Sequence, residues 1–285
     1  MTALIIGING QDGFYLKTLL ENLGYNVIGI TRQSEYNIVL YEDTVKCVKK
    51  YKPEYIFHLA ANSTTKHEAL FENHSIISTG TLNILEAVKN HSPYSKVFIA
   101  GSGLQFKNEA KPIKETDPFE ARDPYSVSRI HSVYAVRYYR TLGLKVYVGY
   151  LFNHDSPQRT ERHMAKRISE TAKRISRGGT EKLEIGDIKV IKEWTFAGDI
   201  VKGIWNLINQ DIIYEANIAS GIGYSIEDWL DQCFSIINKN WKDYILLKNN
   251  FKVDYLSLIA DPKLIFSLGW KPEKSFEQLA ELMME

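Results

Sequence analysis

The feature that most constrains this chain stands at its start. Leu4-Ile5-Ile6 reads as a short buried strand and runs directly into Gly7-Ile8-Asn9-Gly10-Gln11-Asp12-Gly13, after which the helical stretch Tyr15 to Leu23 stops at Gly24. A strand, a turn with three glycines and a helix form a phosphate-binding unit for physical reasons. A side chain at Gly7 would obstruct the tight turn, one at Gly10 would hold a pyrophosphate off the backbone amides, and one at Gly13 would push helix from strand. The helix start then offers unpaired N–H groups and a partial positive charge to phosphate. Such glycines also occur in ordinary βα loops, and GxxGxxG is not the GxGxxG form. Their place between the first strand and first helix favours a dinucleotide.

The rhythm that follows agrees. Val27 to Ile30 reads as a second strand, Ile38 to Tyr41 as a weaker third, with Asp43 capping a helix that runs to Tyr51 and ends at Pro53. Tyr55 to Leu59, Lys96 to Ala100 and Lys145 to Leu151 are further strands, separated by helical patterns over 78–90 and 125–142. This alternation predicts an α/β chain with a Rossmann-type, doubly wound parallel sheet. After about residue 152 the pattern loosens into a basic amphipathic helix (Met164 to Arg177), short β runs at 183–185, 216–219 and 244–247, and helices over 198–209, 225–238, from Asp261 and over 275–284. Residues 1–152 are expected to bind a dinucleotide, with later elements returning to them, and 153–285 largely to form a smaller α/β substrate lobe.

Composition excludes several classes. The chain has 285 residues, 35 Lys and Arg against 34 Asp and Glu, and a net charge of +1, so it offers no long-range field for nucleic acid or an anionic membrane. Apolar residues at 44% fit a globular core rather than disorder. Cys47 and Cys233 are too few for a disulfide framework, the histidines show no metal-ligand spacing, and apolar runs such as Val146 to Phe152 are far short of a membrane span. The apolar Ala3 to Ile8 lacks the basic flank of a signal peptide. A cytoplasmic protein with no metal is the expectation.

Two further segments carry chemistry. Ser102 lies at the C-terminal end of a parallel strand, the edge where such sheets place ligands. Asp123-Pro124-Tyr125 opens a long helix on which Tyr125 and Arg129 share a face. A phenol of pKa about 10 is a poor base at neutral pH, and a cation one turn away stabilises its phenolate. At the end of the second strand, Thr31-Arg32-Gln33-Ser34 contains no carboxylate for a ribose diol. Arg32 inclines the choice towards a 2′-phosphate and leaves NAD versus NADP open.

With these residues in view, the sequence resembles the extended short-chain dehydrogenase/reductases, in the branch of GDP-mannose 4,6-dehydratases and GDP-6-deoxy-4-keto-sugar reductases. The likeness runs through Gly7 to Gly13, His58-Leu59-Ala60-Ala61, Leu151-Phe152-Asn153-His154-Asp155-Ser156-Pro157-Gln158-Arg159, Ile185-Gly186-Asp187, Lys192-Glu193-Trp194 and Leu268 to Pro272. The resemblance implies Ser102, Tyr125 and Arg129 as the catalytic set. It implies cofactor contacts from Gly7, Asn9, Gly10, Gln11, Asp12, Gly13, Arg32, Leu59, Ala60, Ala61, Tyr125, Arg129, Leu151 and His154. Asn153, Arg159, Arg167 and Lys192, with Ser102, fall where the family holds a nucleotide-sugar diphosphate, within a cluster that includes Arg162 and Lys166.

Two positions depart from that pattern. Arg129 replaces the family lysine, and Leu104 stands where the dehydratases carry a glutamate that removes the C5 proton. The expectation is therefore an NAD(P)-dependent oxidoreductase acting at C4 of a nucleotide-linked hexose or heptose, GDP-linked by the resemblance, as 4-dehydrogenase or 4-ketoreductase, in surface-polysaccharide synthesis. The alternatives are a GDP-sugar 4,6-dehydratase and a catalytically silent dinucleotide-binding protein. The family habit implies a homodimer or homotetramer, with Ile130, Val133 and Tyr134 open to a subunit contact or to the chain's own core.

Overall fold

The structure, a computed structural model, describes residues 1–248 and 253–285. Its centre is a six-stranded parallel sheet. Along the chain run β1 (Thr2–Ile6), α1 (Gln11–Asn22), β2 (Asn26–Ile30), α2 (Tyr41–Tyr51), β3 (Tyr55–His58), α3 (Gly80–His91), β4 (Lys96–Ser102), α4 (Pro124–Thr141) and β5 (Val146–Leu151). Then come α5 (Met164–Ser176), α6 (Ala197–Ile208), β6 (Glu215–Ile218), α7 (Ile226–Ile236) and α8 (Phe276–Met284). The strand order is β6-β5-β4-β3-β1-β2, with the reversal of direction between β1 and β3. Ligands of open α/β sheets bind outside the carboxyl ends of the strands at such a reversal. β6 lies far along the chain yet pairs with β5, so the sheet is completed from the second half.

Strands buried on both faces read as continuous apolar runs, and the two-residue period sorts them between two cores. Leu4, Ile6, Val97, Ile99, Val146 and Val148 pack under α2, α3 and α4 with Val88, Val133 and Val136. Ala3, Ile5, Phe98 and Tyr147 face the other way, against Leu16 and Leu20 of α1 and Ile200, Ile204 and Leu207 of α6. A third core, around Ile168, Trp194, Trp229, Phe234, Phe276 and Leu279, binds α5, α7 and α8 into a separate lobe, with Trp194 and Trp229 stacked at 4.6 Å. On α4, Val133 is buried in the core while Tyr134 is exposed.

The expected third strand at Ile38 to Tyr41 is absent. Only seven residues, Thr31 to Asn37, separate it from β2, and a parallel neighbour needs a crossover of roughly a dozen or more. The segment instead turns straight into α2. Its carbonyls at Ile38 and Val39 accept hydrogen bonds from Asn83 Nδ2 at 2.9 and 3.0 Å, the role a strand partner would have filled. Asp43 is also not the cap of α2, which starts two residues earlier behind Leu40. The first helix starts at Gln11, four residues before the apolar pattern, and this brings its N-terminus up against the glycine turn.

Candidate active site

The carboxyl ends of β1, β4 and β5 open into a cavity of about 410 Å³. Its floor is the glycine turn. Gly7 has φ +93°, and a Cβ there would stand 2.8 Å from the Ala60 backbone nitrogen. A Cβ on Gly13 would lie 2.4 Å from the Gly7 carbonyl oxygen, so any side chain would force α1 off the turn. Gly10 is different: its N–H donates to Gly7 O at 3.0 Å, and its own face is nearly open. A bare backbone cradle at a helix N-terminus, with room above it, fits a dinucleotide pyrophosphate.

Buried polar contacts hold this floor against the segment after β5. Gln11 Nε2 donates to His154 O at 3.1 Å, and Ser156 Oγ donates to Gln11 Oε1 at 3.0 Å. His154 Nε2 lies 2.9 Å from Asp12 Oδ1 and its Nδ1 lies 2.6 Å from Phe152 O. With acceptors at both ring nitrogens, the ring is an imidazolium. Burial would raise the Asp12 carboxyl, but the charge and hydrogen bond of His154, with Arg159 beyond, hold it below the usual range. Burial likewise opposes charging of His154, and Asp12 overrides it and moves the ring above the ordinary histidine value. His154 therefore supports the turn from beneath.

Ser102 ends β4 and is nearly buried. Its hydroxyl accepts from Leu104 N at 3.2 Å, and Gln105 Oε1 accepts from Ser102 N at 2.9 Å. Gln105, fully buried, is thus a cap for this turn rather than a reacting group. Tyr125 enters from the first turn of α4, fixed by the Asp123–Ser126 capping box and by Pro124 at the first helical position. Arg129 is 3% exposed. Its guanidinium carbon sits 5.0 Å from the Tyr125 ring centroid, Nη1 donates to Ala100 O, and Nε has no partner. The cation therefore lies on the phenol ring and ties α4 to β4. Behind it, burial first and then the Arg129 charge push the His58 imidazole down to about 3, so His58 is neutral.

The roof is the segment after β5. Asn153, Gln158, Arg159, Thr160, Arg162 and His163 line it. Arg159 Nε is 3.3 Å from Asp155 Oδ1 but not aligned to donate, and Asn153 Oδ1 is buried without a partner. His163 is pushed down to about 3, by burial first and then by Arg159, Arg162 and Lys192. Nothing in the sequence marked His163, Ser63 or Thr65 as lining residues, because each owes its place to the path of a loop.

The structure thus brings together Gly7, Asn9, Gly10, Gln11, Asp12, Gly13, Leu59, Ala61, Ser102, Tyr125, Arg129, Leu151, Asn153, His154 and Arg159 around one cavity. Arg32 and Ala60 line a second arm of about 680 Å³ that continues past the glycine turn towards β2. Arg167 and Lys192 are outside both linings. Arg167 turns its Nη2 to Glu184 O at 3.3 Å, and Lys192 is half-buried 4.3 Å from the Trp194 ring centroid, where desolvation lowers its pKa. Lys166 of the basic cluster is paired with Glu170 at 2.7 Å.

A family model described as GDP-mannose 4,6 dehydratase matches residues 37–283. The chain belongs to that family. GDP-mannose 4,6 dehydratase 2 of Arabidopsis thaliana is 33% identical over 99% of this chain and 86% of its own length. The GDP-mannose 4,6 dehydratase of Homo sapiens is 29% identical over 99% of this chain and 90% of its own. Among solved structures, an RMD of Pseudomonas aeruginosa complexed with NADPH covers 100% of this chain and 98% of its own at a TM-score of 0.87 and 22% identity. The dTDP-glucose 4,6-dehydratase of Bacillus anthracis in complex with NAD covers 100% and 95% at 0.86 and 19%. These two likenesses show the Rossmann-type parallel α/β fold. As a member of this family the chain is a nucleotide-sugar enzyme.

Within the cavity, Leu104 stands on the wall two residues beyond Ser102. Among the described residues, Asp12 is the only carboxylate in the lining, and it is paired with His154. A smaller cavity of about 250 Å³ opens on the far side of Leu104 and carries Asp123 and Asp254. Asp123 caps α4 through Ser126 N at 2.9 Å. No described helix is long and apolar enough to cross a membrane.

Proposed function

We propose that this chain binds NAD(P) along the two arms of the cleft and acts at C4 of a GDP-linked hexose, with 4,6-dehydration as the outcome. The observation that carries the reading is the shared cavity of Ser102, Tyr125 and the glycine turn, which sets a proton-transfer group beside a dinucleotide cradle. The family match and the named activities of the relatives support GDP-mannose or a close analogue as substrate.

When bound, the nicotinamide supplies the acceptor and donor of hydride. Ser102 orients the C4 oxygen. Tyr125 takes the C4 hydroxyl proton as the carbonyl forms, aided by the Arg129 cation over its ring. Arg159 Nε is a donor without a partner in the roof, where a diphosphate oxygen can accept from it, and Arg162 adds charge there; Asn153 Oδ1 is an acceptor that a sugar or ribose hydroxyl can satisfy. Dehydration also needs a base for the C5 proton. Leu104 cannot serve and Asp123 is committed to its cap, so the candidate for this step is Asp254 of the adjoining cavity, which shares Thr65, Leu104 and Leu258 with the main one. Asp254 takes the C5 proton and passes it to the C6 hydroxyl, which leaves as water; C6 is then reduced while the proton held on Tyr125 returns to C5.

Leu104 favours a second reading, in which the reaction stops at C4 as a 4-dehydrogenase or, reversed, a 4-ketoreductase. Incubation with GDP-mannose and the dinucleotide distinguishes the two by mass and absorbance. The first reading expects a product lighter by one water and no net change at the nicotinamide band. A product lighter by two hydrogens with stoichiometric reduced cofactor overturns it in favour of the second. Asp254→Asn is expected to abolish water loss while leaving C4 oxidation measurable.

A further inference from the structure

The roof of the cavity holds a histidine that the proposed reaction does not use. Arg162 Nε donates to His163 Nε2 at 3.2 Å, and Arg162 Nη2 reaches across the cleft to Ser63 Oγ at 3.4 Å. A guanidinium only donates, so the ring nitrogen that accepts from it carries a lone pair and His163 is neutral. The residue is half-buried immediately before α5, where its N–H donates to Thr160 O and its carbonyl accepts from Arg167 N.

The charges facing the ring come from three segments. Arg159 and Arg162 share its loop, the His154 imidazolium stands after β5, and Lys192 lies on the strand Ile191–Glu193. On α5 itself, Lys166 pairs with Glu170 and Arg167 turns to Glu184 O. Arg159 and His154 have carboxylate partners in Asp155 and Asp12. Arg162 and Lys192 form no ion pair among the described residues: the first bonds His163 and Ser63, the second rests on Trp194. Two positive charges thus stand uncompensated beside a neutral imidazole.

We infer that His163 is a further ligand of the substrate diphosphate and takes up a proton from solvent when the nucleotide sugar binds. The inference rests on the reading of the roof as the nucleotide-sugar site. A diphosphate esterified at both ends carries two negative charges and no proton of its own that titrates near neutrality. Those charges offset Arg162 and Lys192. Arg162, exposed on its loop, turns from the ring to the phosphate oxygens and frees His163 Nε2. An anion within about 4–6 Å favours the charged form of a base, so the freed nitrogen binds a proton and donates to the diphosphate. Without that anion, burial first and then the surrounding cations keep the ring uncharged. Affinity therefore rises as the pH falls through the value the ring takes in the complex, and is level above it.

Titration calorimetry of the full chain with GDP-mannose tests this, with no dinucleotide added so that no turnover intervenes. Two buffers of different ionisation enthalpy report the protons taken up. The parent is expected to take up more than about half a proton per bound ligand at about pH 5.5 and almost none at about pH 8, and to bind about tenfold more tightly at the lower pH. His163→Gln keeps an acceptor for Arg162 and cannot titrate. It should bind within about threefold of the parent at about pH 8 and lose both the proton uptake and the pH dependence. Binding to the parent without proton uptake at the lower pH, or uptake that survives in His163→Gln, overturns the inference and leaves the nucleotide-sugar reading standing. Absence of GDP-mannose binding at either pH removes that reading together with this one.

Discussion

The floor and the roof of the cleft are built on opposite principles. In the floor, Gln11, Asp12, His154 and Ser156 satisfy one another's hydrogen bonds, and backbone packing leaves Gly7 and Gly13 no room for a side chain. In the roof, Asn153 Oδ1 and Arg159 Nε are buried without hydrogen-bond partners, and His163 is kept neutral among cations. Buried polar atoms are normally paired, so a satisfied set is finished on folding and an unsatisfied one awaits a ligand. The floor is preorganised structure. The roof keeps a free donor for an anion at Arg159 and a free acceptor for a hydroxyl at Asn153.

The largest effect separating the two should come from Gly13→Ala. Its Cβ would meet the Gly7 oxygen and the Ile8 backbone, so dinucleotide affinity should fall by about two orders of magnitude or more and the melting temperature should drop. Retained affinity in calorimetry would break the account of the floor. Next, Tyr125→Phe should slow hydride transfer by roughly 10²–10⁴, with dinucleotide affinity changed by less than about threefold. A variant within about tenfold of the parent rate in single-turnover absorbance would remove Tyr125 as the acid–base group.

In the roof, Arg159→Ala should weaken GDP binding by roughly ten- to a hundredfold and leave dinucleotide affinity nearly unaltered. Equal losses for both ligands would mean that Arg159 serves the floor through Asp12. Arg167→Ala should change GDP affinity by less than about threefold, since Arg167 turns away from the cavity; a tenfold loss would enlarge the roof.

The pH dependence sharpens the same contrast. His58 has a folded pKa of about 3, below an unfolded value of about 6.5. Between these values the unfolded chain binds the extra proton, so stability falls as the pH falls below about 6.5 and continues falling towards 3. His154 acts in the other sense: its raised folded pKa gives stability that is complete below about 6.5 and lost as the pH rises through the folded value. Asp12, lowered, contributes above about 3.9 and loses its share on acidification. His58→Gln, which can keep the hydrogen bond to Ile76 O, should flatten the acid limb of melting temperature against pH. An unchanged slope would place the acid sensitivity in the roof, at His163.

The legible parts of the fold were those with local causes. The glycine turn, the apolar strands and the helix start at Asp123-Pro124-Tyr125 depend on residues within a few positions of one another, and their elements form within a few residues of the expected bounds. The spurious strand at Ile38 to Tyr41 has an apolar pattern but no room for a crossover. Asn83, forty-five residues beyond Ile38, takes the place of the missing partner. Arg167 and Lys192, which the family resemblance places at the diphosphate, lie outside the two cleft linings, where one bonds Glu184 O and the other rests on Trp194.

By itself, then, the sequence determined a parallel α/β sheet with a dinucleotide-type turn, because periodicity and glycine geometry act over a few residues. It also set the chemical identity of the reacting groups: Ser102, Tyr125, the substituted Arg129 and the leucine at 104. Only the tertiary structure decided which charges are free. It neutralised Arg32 with Glu72, joined Asp12 to His154, and left Arg159 and Asn153 unsatisfied, since each of these depends on a partner brought in by chain crossing rather than by spacing.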